Sequence, residues 1–173
     1  MDDLIDADLA ALGAEAATLL ARRGETVSVA EGSCGGLISA TLLGVPGASA
    51  YYRGGAVIYT LAAMRAMLEG AVEVPPGLRG ATEEFALHLA RSATVRLDST
   101  WAVGEGGAAG PTGNRYGDPA GHAWVAVAGP IELTSHVLTG SDDRTANMVA
   151  FAAAALRLLV EGLGSTPALP VEA

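Results

Sequence analysis

Thr26-Val27-Ser28-Val29-Ala30-Glu31-Gly32-Ser33-Cys34-Gly35-Gly36-Leu37-Ile38-Ser39-Ala40-Thr41-Leu42-Leu43 is the stretch that decides the fold. Thr26 to Ala30, with Val27 and Val29 alternating, predicts a short buried strand. Gly35 to Leu43 predicts a helix. Between them lies a glycine-rich turn, Ala30 to Gly36. A strand that runs through such a turn into a helix is the building unit of a layered α/β domain. The turn also presents backbone N–H groups at a helix N-terminus, which suits an anion, a carbonyl oxygen or a nucleophile.

Working outward, Leu4 to Arg23 carries a 3.6-residue apolar period and predicts a helix ended by Gly24. Downstream, Tyr51 to Tyr59 predicts a strand whose Gly54-Gly55 pair marks a bulge or a close backbone approach. Thr60 to Leu68 predicts a helix with Thr60 as its N-cap. A proline-containing loop, Val72 to Gly80, precedes an amphipathic helix over Ala81 to Leu97. Thr100 to Val103 predicts a strand, and Gly104 to Gly121 a long loop with seven glycines and two prolines. His122 to Ala128 and Ile131 to Leu138 predict a hairpin turning at Gly129-Pro130. Ser141-Asp142-Asp143 opens a last helix running to about Leu163. Helices between strands predict an α/β layered fold, and the hairpin makes its sheet mixed.

The chain has 173 residues, enough for one domain with a real core. Residues 1–164 are expected to form that domain and 165–173 a loose tail. The net charge is −9 and the pI about 4.6, which disfavours nucleic acid and anionic membrane surfaces as partners. No uninterrupted apolar run has the length of a membrane span, and Met1-Asp2-Asp3 is unlike a signal peptide, so a cytoplasmic location is expected. Cys34 is the one cysteine, which excludes an intrachain disulfide and a cysteine zinc cluster. The histidines, His88, His122 and His136, match no local metal-ligand spacing. All ten basic residues are arginine, so a serine activated by a lysine amine cannot be assembled from this chain.

Three segments could carry chemistry. In the first, Ser33 and Cys34 are candidate nucleophiles, with Gly35 and Gly36 amides as an oxyanion hole and Glu31 or Tyr59 as the base. A helix N-terminus would lower the Cys34 thiol pKa. The plain alternative is that Ser33 or Cys34 caps the helix. The turn is not a phosphate-binding P-loop, because it lacks the Gly-Lys-Ser/Thr ending. It is not a nucleophile elbow, because Glu31 stands two residues before Ser33. In the second segment, Arg53 could hold a phosphate through its planar fork beside Gly54, with Tyr59 at the strand end. In the third, Gly106 to Asn114 could form a nest of amides, with Gly110, Thr112 and Gly113 as anion contacts.

Together the three segments resemble one family, the CinA C-terminal domain, which includes the nicotinamide mononucleotide amidohydrolases. Members read Ala-Glu-Ser-x-Thr-Gly-Gly-Leu-Ile, then Val-Pro-Gly-Ser-Ser, then an aromatic with Arg-Gly-Gly-x-Val-x-Tyr, then Gly-x-Ala-Gly-Pro-x-Gly-Gly. This chain reads Ala30-Glu31-Gly32-Ser33-Cys34-Gly35-Gly36-Leu37-Ile38, then Val45-Pro46-Gly47-Ala48-Ser49. Tyr52-Arg53-Gly54-Gly55-Ala56-Val57-Ile58-Tyr59 and Gly107-Ala108-Ala109-Gly110-Pro111-Thr112-Gly113-Asn114 follow, then Pro119-Ala120-Gly121 before His122. The resemblance covers roughly residues 5 to 162. It implies a three-layer α/β/α fold, a homodimer, and hydrolysis of the carboxamide of nicotinamide mononucleotide to nicotinate mononucleotide and ammonia. It implies no metal or organic cofactor. The N-terminal domain that many members carry, similar to molybdopterin-binding proteins, is expected to be absent.

The departures fall on the chemistry. Gly32 stands at the family's serine and Cys34 at its threonine. Met64 stands at the lysine thought to activate that serine, with Arg65 next to it. Arginine stays protonated at neutral pH and is a poor base. The resemblance thus implies a small-nucleotide pocket for a pyridine mononucleotide with weak or lost hydrolysis. Two alternatives stand beside it: an amidohydrolase with a shifted Ser33 or Cys34 nucleophile, and a non-catalytic dimeric interaction module.

Overall fold

In the computed structural model, residues 4–169 are described. Met1-Asp2-Asp3 and residues 170–173 of the expected tail lie outside the described residues. Helix α1 (Ala7–Arg23) begins where the Asp6 carboxylate accepts the Leu9 N–H, and ends at Gly24 in the left-handed region, φ 65°. It is followed by β1 (Val27–Glu31), α2 (Leu37–Leu43), a 3-10 turn (Ala48–Ala50), β2 (Tyr52–Val57) and α3 (Leu61–Leu68). Then come α4 (Glu83–Leu97), β3 (Trp101–Ala108), β4 (His122–Ala128), β5 (Leu133–Leu138) and α5 (Arg144–Ser165). Thr60 and Thr82 cap α3 and α4, accepting the N–H groups of Ala63 and Phe85, and Asp143 caps α5. Such caps each stabilise a helix by about 1 kcal/mol.

The strands form one sheet in the order β2-β1-β3-β4-β5, parallel across β2, β1 and β3 and antiparallel beyond. The mixed α/β sandwich expected from the sequence is what forms. Strand alternation sorts two cores. Val27, Val29, Trp101, Val103, Val125 and Val127 face α1, α2 and α5. Ala30, Ala102, Ala126 and Ala128 face α4 and the end of α3. All five β1 residues are buried, because both faces are covered. Helix α5 is 22 residues long and, by length and composition, apolar enough to cross a membrane, although Asn147, Arg157 and Glu161 interrupt its apolar run. Half of that window is buried against the domain, where it packs on α1, α2 and β4 as a core helix.

Two boundaries differ from expectation for physical reasons. Strand β3 runs to Ala108, so three of the seven glycines of the expected 104–121 loop are sheet. A Cβ on Gly104 would meet Ala90 N at 2.7 Å and Ala86 O still closer; one on Gly106 would meet Phe85 Cδ1 at 2.8 Å. The glycines let α4 lie directly on the strand. The second difference is α2, which starts at Leu37 because Gly35 and Gly36 have φ of 65° and 105°. In β2, by contrast, the expected irregularity is present. The pairing slips between Val27↔Tyr52 and Ser28↔Gly54, leaving Arg53 as the bulged residue. A Cβ on Gly55 would fall 2.5 Å from Tyr52 Oη and 2.7 Å from Ser39 Oγ, the close approach its position implied.

The part of the tail that is described is held in place. Arg23 donates to the carbonyls of Leu163 and Thr166, both at 2.7 Å, and to that of Pro167 at 3.1 Å. Its partner Glu25 accepts from Leu169 N and from Trp101 Nε1.

Candidate functional site

Strand β1 sends the chain through α2 to β2 on one side, while β3 lies on the other. The order therefore reverses at β1, and open α/β sheets bind ligands in the crevice at the carboxyl ends of strands beside such a point. A cavity of about 560 Å³ lies there. That volume is within the roughly 300–1,000 Å³ range of small-molecule sites. Gly32 and Ser33 line it from the turn after β1, Ile58 and Tyr59 from the end of β2, Met64 from α3, Phe85 from α4, and Gly106 from β3. Asn114, Arg115 and Tyr116 close it from the β3–β4 loop. A second, more open groove of about 690 Å³ between α1 and α5 holds none of the sequence-derived candidates.

Two buried glutamates build the turn from below. Glu31 and Glu105 are register partners on β1 and β3, and both are 0% exposed. The Glu31 carboxylate accepts from Ile38 N at 3.1 Å, Ser39 N at 3.0 Å and Ser39 Oγ at 2.7 Å. It caps α2, whose own N-cap, Gly36, has no side chain to do so. A carboxylate at this position also opposes the positive end of the helix dipole. The cap expected from Ser33 or Cys34 is thus supplied by Glu31.

Glu105 holds the turn itself. Its Oε2 accepts the N–H groups of Gly32 and Cys34, each at 3.0 Å, and its Oε1 accepts the Ser33 hydroxyl. Burial raises its pKa above the ordinary carboxylate value. The Ser33 hydroxyl and the two amides oppose that shift, and the charge of Glu31 adds to it. The base candidate beside Ser33 is therefore Glu105, a residue that the sequence alone assigns to a loop.

Cys34 faces away from the cavity, among buried side chains, with its thiol directed at the Met148 carbonyl 3.7 Å away. Burial, then the charges of Glu105 and Glu31, push the thiol pKa well above its ordinary value. This is opposite in direction to the lowering expected at a helix N-terminus, and it weighs with the burial of the thiol against Cys34 as a nucleophile. Ser33 is 6% exposed and borders the cavity.

Tyr59 is 65% exposed at the cavity edge and accepts a hydrogen bond from Arg144 Nη2 at 3.3 Å. Arg144, not singled out in the sequence, also donates to the Gly110 carbonyl at 2.7 Å, so it ties the start of α5 to the loop and to β2. Gly35 and Gly36 shape the turn but do not border the cavity; Gly35 N–H donates to the Gly32 carbonyl at 3.3 Å. Gly110, Thr112 and Gly113 lie just outside the lining, and the residues that follow them, Asn114 to Tyr116, form it. Arg53 and Gly54 sit at the other end of β2. There Arg53 Nε donates to the Asp98 carbonyl at 3.2 Å, and Gly54 lies beside Leu97. The bulge and the strand direction place the Arg53 fork away from this cavity.

One cavity wall is held by the histidines. Ala81, which borders the cavity, gives its carbonyl to His122 Nε2 at 2.8 Å, and His136 Nε2 lies 2.9 Å from His122 Nδ1. A carbonyl only accepts, so His122 Nε2 carries the proton. Among the described residues no cluster of three or more His, Cys, Asp or Glu could hold a metal ion.

A mixed-sheet α/β domain with a crevice of small-molecule size at its switch point is the class that fold and site define. The CinA C-terminal domain family model matches residues 9–163, and the chain belongs to that family. A CinA-like protein of Salinibacter ruber is 36% identical over 156 residues, which are 90% of this chain and 38% of that protein. A CinA-like protein of Anaeromyxobacter sp. is 39% identical over 140 residues, 78% of this chain and 33% of its own length. The chain thus spans less than two-fifths of the length of these curated relatives. The solved structure of the competence/damage inducible protein CihA from Agrobacterium tumefaciens superposes with a TM-score of 0.83 at 30% identity. That match covers 92% of this chain and 97% of the other. The competence damage-inducible protein A (ComA) from Klebsiella pneumoniae gives 0.84 at 26% identity, over 92% and 99% of the two chains.

Proposed function

We propose that this chain is a CinA-type domain that binds a pyridine mononucleotide and hydrolyses its carboxamide weakly or not at all. One observation carries the reading: Gly32 and Met64, which stand at the nucleophile and activator positions of the resembling amidohydrolases, border the same cavity. Neither has a group that can attack or accept a proton. Loss of cooperating catalytic groups costs on the order of 10⁶-fold in rate. The pocket around the two positions keeps a ligand-sized volume and a mixed apolar and polar lining. A homodimer in the cytoplasm belongs to the same reading, and light scattering tests its assembly. Ammonia release from nicotinamide mononucleotide by the purified chain tests the chemistry; turnover typical of an amidohydrolase refutes it.

The contact between Ser33 and Glu105 favours a second reading. A hydroxyl that borders the cavity and donates to a buried carboxylate is a nucleophile–base arrangement without a histidine. Under it, Ser33→Ala abolishes ammonia release; equal release from Ser33→Ala and the unsubstituted chain refutes it.

A further inference from the structure

The segment from Asn114 to Asp118 does not resemble a slack surface loop. Asn114 Oδ1 accepts the N–H groups of Tyr116 at 2.9 Å and Asp118 at 3.2 Å, while Asn114 Nδ2 donates to Asp118 Oδ2 at 2.8 Å. Arg79 braces the turn from the α3–α4 connection, donating to both carboxylate oxygens of Asp118 at 2.6 and 3.4 Å. The Tyr116 ring lies near two guanidinium groups, Arg79 at 5.2 Å and Arg115 at 4.9 Å from its centre. Cation–π contacts of this kind draw a guanidinium toward a ring face.

The charges of the two arginines are matched differently. Arg79 has Asp118 as its counter-ion. Arg115 makes one hydrogen bond among the described residues, from Nη2 to Tyr116 Oη at 2.7 Å, and has no carboxylate partner. It is the one cation among the residues that line the cavity, and no carboxylate lines it with Arg115. Tyr116 accepts from Arg115 and so keeps its own O–H proton to donate. A guanidinium edge and a phenol proton thus stand together at the mouth of a cavity whose inner wall includes Ile58, Met64 and Phe85.

We propose that Arg115 and Tyr116 form an anion subsite of this cavity, which selects a phosphate monoester whose molecule also carries an apolar or aromatic ring. The guanidinium offers the planar donor fork that phosphate oxygens match, and the phenol adds a third donor. The ring is held against the apolar wall. This proposal rests on the cavity reading above and names the group that replaces Arg53 as phosphate contact.

Calorimetric titration tests it, with nicotinamide mononucleotide, nicotinamide riboside, phenyl phosphate and phenol as probes against the unsubstituted chain, Arg115→Gln and Tyr116→Phe. Arg115 is exposed, so its substitution leaves the fold intact, which circular dichroism checks. The expected result is that the mononucleotide binds about tenfold or more tighter than the riboside, as one charge-assisted hydrogen bond implies. Arg115→Gln then removes that preference without changing riboside affinity, and Tyr116→Phe reduces it in part. If Arg115→Gln keeps the full preference, the subsite is overturned while the nucleotide reading stands. If the mononucleotide does not bind but phenyl phosphate does, and Arg115→Gln loses it, the nucleotide reading falls and the subsite stands. Failure of both phosphate esters to bind overturns the subsite.

Discussion

The Ser33 hydroxyl and the two amides that flank it, those of Gly32 and Cys34, all donate to the Glu105 carboxylate. A single buried acid therefore sets the shape of the turn that faces the cavity. Burial chiefly raises its pKa above the ordinary value of 4.5. The folded chain accordingly holds this proton more tightly than the unfolded chain. The stability it contributes is complete below pH 4.5 and is lost as pH rises through the raised value. In Glu105→Gln, the amide oxygen can accept from Gly32 and Cys34 while its NH₂ donates to Ser33. Urea melts between pH 4 and 8 should show the unsubstituted chain losing stability relative to Glu105→Gln as pH rises. Parallel pH curves for the two would contradict the assignment.

Cys34 provides a chemical test of the same region. With its thiol pKa pushed up by burial and by two neighbouring carboxylates, it should react negligibly with a disulfide reagent at pH 7.5 in the native state. One thiol per chain should appear in urea. Prompt native labelling would mean that the turn opens readily and that Cys34 reaches the cavity.

The glycines of β3 are packing residues. Gly104→Ala places a methyl against Ala86 O and Ala90 N of α4, and should cost about 3 kcal/mol, the upper end for an overpacked core. Gly164 in α5 provides the contrast, because a Cβ there would have nothing within 4 Å. Gly164→Ala should stabilise by up to about 1 kcal/mol. Similar thermal midpoints for the two variants would refute the close approach of α4.

Arg23 and Glu25 form a nearly buried pair that also holds Thr166 and Pro167. Arg23→Met leaves Glu25 buried without its cation and should cost about 3 kcal/mol. For Glu25, burial acts upward but the Arg23, Trp101 and Leu169 donors outweigh it, so its pKa is lowered. Its contribution is present above pH 4.5 and disappears as pH falls through the lowered value. The gap between the two chains in denaturant melts should therefore narrow in acid; a gap independent of pH would contradict the pairing.

The helices and the hairpin were legible because their end signals are local: Gly24 at the end of α1, Thr60 and Asp143 at the starts of α3 and α5. The second half of β3 was not. Gly104, Gly106 and Gly107 look like loop residues until α4 and β4 are seen pressed against them. Glu105 was lost with that half-strand, and with it the acid that organises the turn. That Arg53 lies away from the cavity was not legible, because a one-residue bulge and the direction of β2 decide which end of the sheet it reaches. Gly32 and Met64 became meaningful together only through family resemblance, and their shared cavity is a tertiary fact that no local pattern encodes.

The most direct measurement is ammonia release from nicotinamide mononucleotide by the unsubstituted chain beside the Gly32→Ser, Met64→Lys double variant. A Cβ at Gly32 would meet Ile58 O at 3.3 Å and Glu105 O at 3.4 Å, so the serine fits after shifts of a few tenths of an ångström. The account predicts a silent or barely active chain and a double variant that gains turnover. Robust release by the unsubstituted chain, with no gain in the double variant, would contradict it.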